Sequence, residues 1–451
     1  MLDKFGGNIM KKVLVYGLGV TGISTVKTLD KLGYEVYTYD KNKENIKELE
    51  GYKYSPISDS KISDLKVDFV IKSPGIKPSD EIVEILSKNN EIISDIEASQ
   101  RLFPDKEKIA ITGTNGKTST TSMVAHILNE CGKKAYTVGN IGEGIMWQMH
   151  EKEGVFVEEL SSFQLHDTRD YRPHIGAILN IKEDHIDWHG SFEDYIDSKI
   201  KLAQNQNERD YLVLNAEDEI SMKHKKDFKA QIFEFSSQNI VSKGLFLDGN
   251  MICFVNGGCT IAEILDVRDL SVIGRHNYEN VMAAILLTYL YGLDFSEIIP
   301  AIKTFKAISH RLEYVRSLSG IDFYNDSKGT NVDSSVKAIE SFDKPIIIIA
   351  GGYDKNIDYT DFVKAFKKNG KLMVLMGSTK LKLKDLCEKY DVEYILVENM
   401  DQAIKTSYEK AEAGDVVLLS PASASWDMYK SYEIRGNEFK DIVMRLEEKW
   451  E

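Results

Sequence analysis

Lys117 and Thr118 close the run ITGTNGKTS, in which the strand-like KIAIT leads into Gly113, Thr114, Asn115 and Gly116. A helical pattern starts at once, through Ser119 to Cys131, with Gly132 as its stop. In such a turn the backbone N–H groups cradle phosphate oxygens, the lysine adds charge at the β/γ positions and the hydroxyl reaches a divalent cation. The leading glycine comes two residues later than in the G-x-x-x-x-G-K-[ST] loop, so this is a shortened relative of it. Strand, loop and helix still arrive in the order phosphate binding requires. A motor or switch NTPase would also need a Walker B-type aspartate and a means of coupling hydrolysis to motion, and no repeat or obvious switch segment supplies one.

Polar clusters follow, each at the end of a strand-like run: VGNIG with Asn140, EELSSFQL with Glu159, Ser161 and Gln164, and NIKEDHIDWHG with Glu183, Asp184 and His185. Carboxylates with other oxygens and an occasional imidazole suit hard cations; strand-end capping is the structural alternative. Earlier, GLGVTG supplies Gly17, Gly19, Val20, Thr21 and Gly22 between a strand and a helix, and Asp40 closes the next strand. That is the dinucleotide-type arrangement of a pyrophosphate on a helix N-terminus. Taken alone it fits an NAD-dependent oxidoreductase, another nucleotide diphosphate or a structural turn. A second loop, SPGI with Ser73, Pro74 and Gly75, follows the strand DFVIK, where α/β sheets place ligands.

Residues so placed need strands to deliver them. Short β-branched runs alternate with helical patterns, from KKVLVYG, YEVYTYD and DFVIK through GVFVEEL and HIGAILNI to KPIIIIAGG, KLMVLMG, EYILVEN and DVVLLSPAS. This alternation predicts α/β domains with mostly parallel sheets. Three strand series predict three domains: residues 1–105, Rossmann-like; 106–308, carrying the phosphate loop; and 309–451, Rossmann-like again. Lys and Arg number 57 against 71 Asp and Glu, and the net charge of −14 argues against nucleic acid or an anionic membrane as partner. Cys131, Cys253, Cys259 and Cys387 include no C-x-x-C pair and read as buried thiols in a reducing cytoplasm. The opening MLDKFGGNIMKK runs straight into a strand, and no apolar run, AAILLTYLYGL included, is long enough for a bilayer. A cytoplasmic enzyme, working as a monomer, is the expectation.

TGTNGKT resembles the ATP loop of the Mur ligases and the related folylpolyglutamate synthases, which accounts for its shortened form. The resemblance extends through GNIG, ELSSFQL, N-x-x-E-D-H-x-D, G-x-H-N-Y-x-N at Gly274 to Asn280, His310-Arg311, NDSKGTN, GGYDK and SPASASWDMYKSYEIRGNEF, from Gly17 to Phe439. NDSK and the SPA-x-AS-x-D run single out the branch that adds D-glutamate to UDP-linked N-acetylmuramoyl-L-alanine. The resemblance implies ATP as the energy source, an acyl-phosphate intermediate and two magnesium ions.

It assigns Lys117 to the β/γ-phosphates and Thr118 and Glu159 to magnesium on the ATP side. His185 would hold a second magnesium, and Lys199 matches the lysine that is carbamylated in this family. Asn140 falls on the acceptor side, with Ser161, Gln164 and the two N-terminal loops. Asn277 and Asn280 fall on the adenine side, Arg311 at ATP phosphate and Asp326 at the ribose. Lys328, Thr330, Lys355, Ser425 and Tyr432 are the D-glutamate candidates, with Asp326 and Lys328 expected on one side of an extended segment. Ser423, Trp426 and Tyr432 replace the cysteine, leucine and phenylalanine common in the family; the last two alter the glutamate pocket. The rival readings are a folylpolyglutamate-synthase-like ligase, which needs no UDP-binding first domain, an NAD-dependent dehydrogenase and a non-catalytic nucleotide-binding module.

Overall fold

The structure is a computed structural model that describes residues 11–42 and 44–447; the opening segment before Lys11 lies outside the described residues. The first sheet contains β1 (Lys12–Tyr16), β2 (Glu35–Tyr39), β3 (Ser55–Pro56), β4 (Phe69–Lys72) and β5 (Ile92–Ile93), in the order β3-β2-β1-β4-β5. All its pairings are parallel. Parallel strands are covered on both faces, and accordingly Val13, Leu14, Val70 and Ile71 are buried.

The second sheet joins β6 (Glu107–Thr112), β7 (Ala135–Gly139), β8 (Val155–Leu160), β9 (Ile175–Ile178), β10 (Tyr211–Asn215), β11 (Gln231–Ser236), β12 (Lys243–Asp248), β13 (Met251–Asn256) and β14 (Cys259–Asp266). Its order, β14-β13-β12-β11-β10-β9-β6-β8-β7, places the phosphate-loop strand β6 between β8 and β9. The loops after these neighbours therefore open at one end of the sheet. The hairpin pairings β12–β13 and β13–β14 are antiparallel and extend the sheet beyond the parallel series legible in sequence. Cys259, at the start of β14, is exposed and Cys131 half-buried; only Cys253 and Cys387 are the buried thiols expected, and all four are free.

The third sheet has β15 (Glu313–Leu318), β16 (Ile321–Asn325), β17 (Ile346–Ala350), β18 (Gly370–Leu375), β19 (Tyr394–Leu396) and β20 (Val416–Leu419), in the order β15-β16-β20-β17-β18-β19. It is parallel except for the β15–β16 hairpin, which begins earlier than the strand anticipated near Asp322. Apolar side chains cover both faces, Ile347, Ile349 and Phe439 on one, Ile346, Ile348 and Phe362 on the other.

The chain divides into two compact units, residues 1–267 with 279–303, and residues 268–278 with 304–451. The first unit contains the first two sheets; the second contains the third. Among the described residues no helix is long and apolar enough to cross a membrane.

Candidate active site

After β1 the chain turns at Gly17, whose φ of +94° is strained for any residue with a side chain. A Cβ at Gly17 would lie 2.7 Å from Ser73 Cβ, and one at Gly22 only 1.8 Å from the Gly17 carbonyl oxygen. The Asp40 carboxylate accepts from the Leu18 N–H, and Ser73 Oγ donates to the Gly17 carbonyl at 3.1 Å. Adjacent parallel strands thus bring GLGVTG, Asp40 and SPG together at their C-terminal ends. A cavity of about 480 Å³ opens there, lined by Gly17, Asp40, Lys41, Gly75 and Lys77 among others. Asp80 fixes its wall, accepting from Tyr16 Oη at 2.7 Å and Lys41 Nζ at 2.8 Å.

The phosphate loop is held from below. The Thr114 N–H donates to the Asn180 carbonyl and the Asn115 N–H to the Asn180 side chain, each at 2.8 Å. Gly116 has φ +85° and a Cβ there would meet Asn280 Oδ1 at 2.3 Å; the second glycine is thereby required by a helix far along the chain. Lys117 and Thr118 then start the helix Lys117–Glu130. Lys117 Nζ donates to the carbonyls of Gly113 at 2.6 Å and Thr114 at 3.0 Å. Lys199, from the helix Phe192–Gln204, is 1% exposed and donates to the same Gly113 carbonyl at 2.8 Å. Burial, and secondarily the Lys117 charge, hold the Lys199 amine well below the ordinary lysine range.

Glu159 is the penultimate residue of β8 and is buried. Its Oε1 accepts from Asn140 Nδ2 at 2.8 Å, while its Oε2 is buried without a hydrogen-bond partner. An uncommitted buried carboxylate oxygen fits a cation ligand, since leaving one unmatched is costly. His185 stands apart, in the left-handed conformation at φ +54° with its side chain 50% exposed beside Asp184. Backbone strain of this kind, on the order of 1–3 kcal/mol, concentrates at functional positions. Among the described residues no three His, Cys, Asp or Glu side chains converge as an all-protein cation cage. Ser161 and Gln164 form a capping box at the start of their own helix, and Gln164 Nε2 also approaches the buried Asp95 carboxylate at 3.4 Å.

A buried relay not read from the sequence links these elements. The His189 side chain is fully enclosed, with Nδ1 2.6 Å from Asp194 Oδ2 and Nε2 3.0 Å from Ser162 Oγ. It cross-links the segment after Glu159, the turn carrying His185 and the helix carrying Lys199.

The helix Arg275–Tyr291 carries both adenine-side candidates, with Asn277 in the second compact unit and Asn280 in the first. Asn277 Nδ2 donates to the Ile273 carbonyl at 2.7 Å.

In the second unit, NDSK is a turn rather than an extended segment: the Gly329 N–H donates to the Asp326 carbonyl at 2.8 Å. The alternation of an extended segment therefore does not apply to Asp326 and Lys328. The Asp326 carboxylate accepts from Ser420 Oγ at 2.7 Å and the Leu312 N–H at 3.3 Å, and burial raises its pKa to about 7. Lys328 Nζ lies 3.9 Å from the Tyr432 ring centroid, a cation–π contact, and the Thr330 N–H donates to the Lys328 carbonyl at 2.8 Å. Arg311 is adjacent to His310, whose carbonyl accepts from the Lys328 N–H at 3.0 Å.

Arg435, 2% exposed, was not singled out in sequence although EIRGNEF contains it. It donates to Ser327 Oγ at 3.0 Å, the Ser327 carbonyl at 2.8 Å and the Ser423 carbonyl at 3.1 Å. One guanidinium thus holds the NDSK turn against the SPASAS loop bearing Ser425. Ser423 Oγ pairs with Tyr359 Oη at 2.8 Å, so the hydroxyl at this position is matched. Lys355 lies over the ring of Trp426, which is exposed and packs against Tyr353.

Comparison with known proteins fits this arrangement. The Mur ligase middle domain matches residues 111–288 and the Mur ligase glutamate ligase domain residues 310–423. A UDP-N-acetylmuramoylalanine–D-glutamate ligase of Thermoanaerobacter pseudethanolicus is 40% identical over 97% of this chain and 98% of its own length. The protein of that name from Clostridioides difficile is 41% identical over 97% and 99%. Among solved structures, a pseudomurein peptide ligase type C from Methanothermus fervidus matches with TM-score 0.60 at 18% identity, covering 97% of this chain and 100% of that one. UDP-N-acetylmuramate-alanine ligase from Thermotoga maritima matches with TM-score 0.59 at 20% identity, covering 97% and 99%. MurF of the same organism, in complex with ADP, matches with TM-score 0.57 at 14% identity, covering 97% and 96%. The structural likenesses establish the three-domain α/β fold, and the sequence relatives, over nearly the full length, establish the kinship: this chain belongs to the Mur ligase family.

Proposed function

We propose that the chain ligates D-glutamate to UDP-N-acetylmuramoyl-L-alanine at the expense of ATP, in the synthesis of peptidoglycan precursors. The observation that carries this is the convergence of Lys117 and Lys199 on the Gly113 carbonyl, beside a buried glutamate with one unmatched oxygen. The names and full-length identity of the relatives support the choice of acceptor and amino acid.

Residues 1–105 bind the UDP acceptor through Gly17, Gly19, Val20, Thr21, Gly22, Asp40, Ser73, Pro74 and Gly75, with Asn140, Ser161 and Gln164 contributing from beyond that domain. Residues 106–308 bind ATP through Gly113 to Ser119 and Asn280, with Asn277 on the adenine side; residues 309–451 take D-glutamate through Lys328, Thr330, Lys355, Ser425 and Tyr432. Arg311 meets ATP phosphate and Asp326 the ribose.

An acyl transfer to an amine is blocked in water until the carboxylate oxygen becomes a leaving group. The acceptor carboxylate attacks the γ-phosphorus, the bond to the β-γ bridging oxygen breaks and ADP departs. The amine of D-glutamate then adds to the acyl phosphate carbonyl, loses a proton, and phosphate leaves. Anion meets anion in the first step, so positioning and charge neutralisation dominate. Lys117 supplies a cation at the loop. Glu159, His185 and the Thr118 hydroxyl are the groups that would hold magnesium, which when bound offsets phosphate charge. The depressed amine of Lys199 favours its neutral form, to which carbon dioxide adds at nitrogen with release of a proton; the resulting carbamate replaces a cation by an anion. The enzyme acts as a cytoplasmic monomer without nucleic acid or membrane partners.

The test is phosphate release from ATP with and without UDP-N-acetylmuramoyl-L-alanine, comparing D-glutamate with L-glutamate, L-lysine and meso-diaminopimelate. Release that requires both the UDP acceptor and D-glutamate is expected. Release with a folate-type acceptor instead would reject the reading.

A further inference from the structure

Lys72 ends β4 immediately before SPGI, and an ordinary strand-end lysine would reach solvent. This one is 1% exposed. Its Nζ donates to the Ile76 carbonyl at 2.7 Å, lies 2.9 Å from Asp167 Oδ2 and stands 5.3 Å from the centre of the Trp188 ring. An ammonium has three donor directions, and these contacts draw on a carbonyl, a carboxylate and an aromatic face.

Each contact leads to a different part of the site. Ile76 lines the 480 Å³ cavity, and its Cδ1 lies 2.9 Å from where a Cβ of Gly17 would be, so it backs the first glycine loop. Asp167 follows the helix capped by Ser161, pairs through Oδ1 with His166 Nδ1 at 2.8 Å, and its carbonyl accepts from the Ser94 N–H at 3.1 Å. Trp188 lies in the short helix whose N-cap is His185. No other contact of the first sheet reaches all three segments at once among those described above.

We propose that Lys72 is a positioning residue that ties the wall of the acceptor-nucleotide cavity to the Asp167 and Trp188 segments, so that the acceptor loop is held in register with the phosphate-loop domain. The inference rests on the proposed reading of that cavity as the UDP-acceptor site. Lys72 is not among the residues lining that cavity, whereas Ile76 is; Lys72 acts through the Ile76 carbonyl. Losing it leaves Asp167 with His166 as its ionisable partner and loosens SPGI, which is then tied toward the Trp188 turn by the exposed Lys77, donating to the Asp187 carbonyl at 2.7 Å. The consequence is selective: acceptor affinity falls, while the ATP loop, anchored separately through Asn180 and Asn280, keeps its geometry.

The experiment compares the full-length protein with Lys72→Met, Asp167→Asn and the double variant, reading UDP affinity by calorimetry, melting temperature, and KM for each of the three substrates. Lys72→Met should weaken UDP binding and raise the acceptor KM by about tenfold, the scale of one lost charge-assisted hydrogen bond, with the KM values for ATP and D-glutamate within about twofold. Asp167→Asn, close in volume, should move the acceptor KM in the same direction, and the double variant should fall short of the product of the two single effects. Unchanged UDP affinity and acceptor KM in Asp167→Asn, or purely multiplicative effects, would overturn the proposal even if Lys72→Met fails to fold. Wild-type protein that binds UDP but does not turn over the acceptor would instead count against the proposed reaction, while the calorimetric comparison would still decide the role of Lys72.

Discussion

Replacing Arg435 by methionine removes a guanidinium that makes three hydrogen bonds, to Ser327 Oγ and to the carbonyls of Ser327 and Ser423. The residue is 2% exposed, so water cannot take over these bonds without opening the loops. Each buried carbonyl left unmatched costs about 1–3 kcal/mol, or roughly 2–6 kcal/mol for the two. Against this, the variant no longer buries a cation, whose desolvation costs several kcal/mol, and methionine retains much of the apolar stem. Taking about 4 kcal/mol for the two carbonyls, the middle of that range, and about 2–3 kcal/mol for the relieved desolvation, a net loss of about 1–2 kcal/mol remains, confined to the NDSK turn and the SPASAS loop. Because Lys328 and Ser425 follow the two anchor points directly or by two residues, local opening of that size should raise the KM for D-glutamate by about tenfold. ATP and acceptor KM values should stay within about twofold. Arg435→Lys keeps a charge but not the planar fork, and should fall between the two. Steady-state kinetics with each substrate varied in turn, alongside thermal unfolding, makes the comparison. A variant that melts lower yet keeps its D-glutamate KM would refute the reasoning, for it would show that the anchor supports the fold and not the loops.

Gly22→Ala places a methyl 1.8 Å from the Gly17 carbonyl oxygen; it should abolish calorimetric UDP binding while ATP binding persists, and normal UDP affinity would contradict the packing of that loop. The depressed Lys199 amine should take up one carbon dioxide, seen as a mass gain in intact protein under bicarbonate, and Lys199→Ala should be partly rescued by short carboxylic acids; full activity of the alanine variant without them would dismiss the carbamate. Asp326 has a folded pKa of about 7 against an ordinary 3.8. The sign is that of a raised pKa: its contribution is present below about 3.8 and is lost as pH rises through about 7. Hydrogen exchange in β16 and β20, corrected for the intrinsic rise of amide exchange with pH, should therefore quicken between about pH 4 and pH 7, and Asp326→Asn should flatten that dependence; an unaltered slope in the variant assigns it elsewhere.

What was legible in sequence is what depends on short spans. GLGVTG, SPGI and TGTNGKT each combine a strand end, a turn and either a helix start or a strand neighbour within a few residues, and the structure places all three at strand ends. SSFQ also spells a capping box in its own four residues, a local signal, and the structure forms it at Ser161 and Gln164. Lys72, His189 and Arg435 were not legible because their partners lie far away in sequence: Asp167 for Lys72, Ser162 for His189, Ser327 for Arg435. A lysine closing an apolar strand and an arginine in a polar helix look solvated until a distant segment covers them. The extended reading of Asp326 to Lys328 failed for a related reason. Gly329 must approach Asp326 and Ser420 so closely that a Cβ would lie 2.5 Å from Asp326 Oδ2, and this approach bends the segment into a turn.

The same distinction bears on how a chain of net charge −14 can gather three anionic substrates. Long-range repulsion would oppose it, and screening removes most of that field beyond about 10 Å in any case. Local charge decides instead, and the structure uses lysine and arginine differently in doing so. Lys117 is held by loop carbonyls at 2.6 and 3.0 Å, acceptors that phosphate oxygens can replace without the ammonium travelling far. Arg435 is committed on several sides and cannot turn to a ligand; it orders the loops from which Lys328 and Ser425 act. Lys199 shares the carbonyl of Lys117, where two ammonium groups repel, and this geometry favours discharge of the deeper one. Three cations therefore do three jobs: one is exchangeable, one is fixed, and one is pressed to give up its charge. A substitution that merely conserves charge at each, lysine for arginine or the reverse, should thus be harmful at Arg435 and Lys199 for opposite reasons: the first loses its fork, and the second gains a cation that cannot be neutralised.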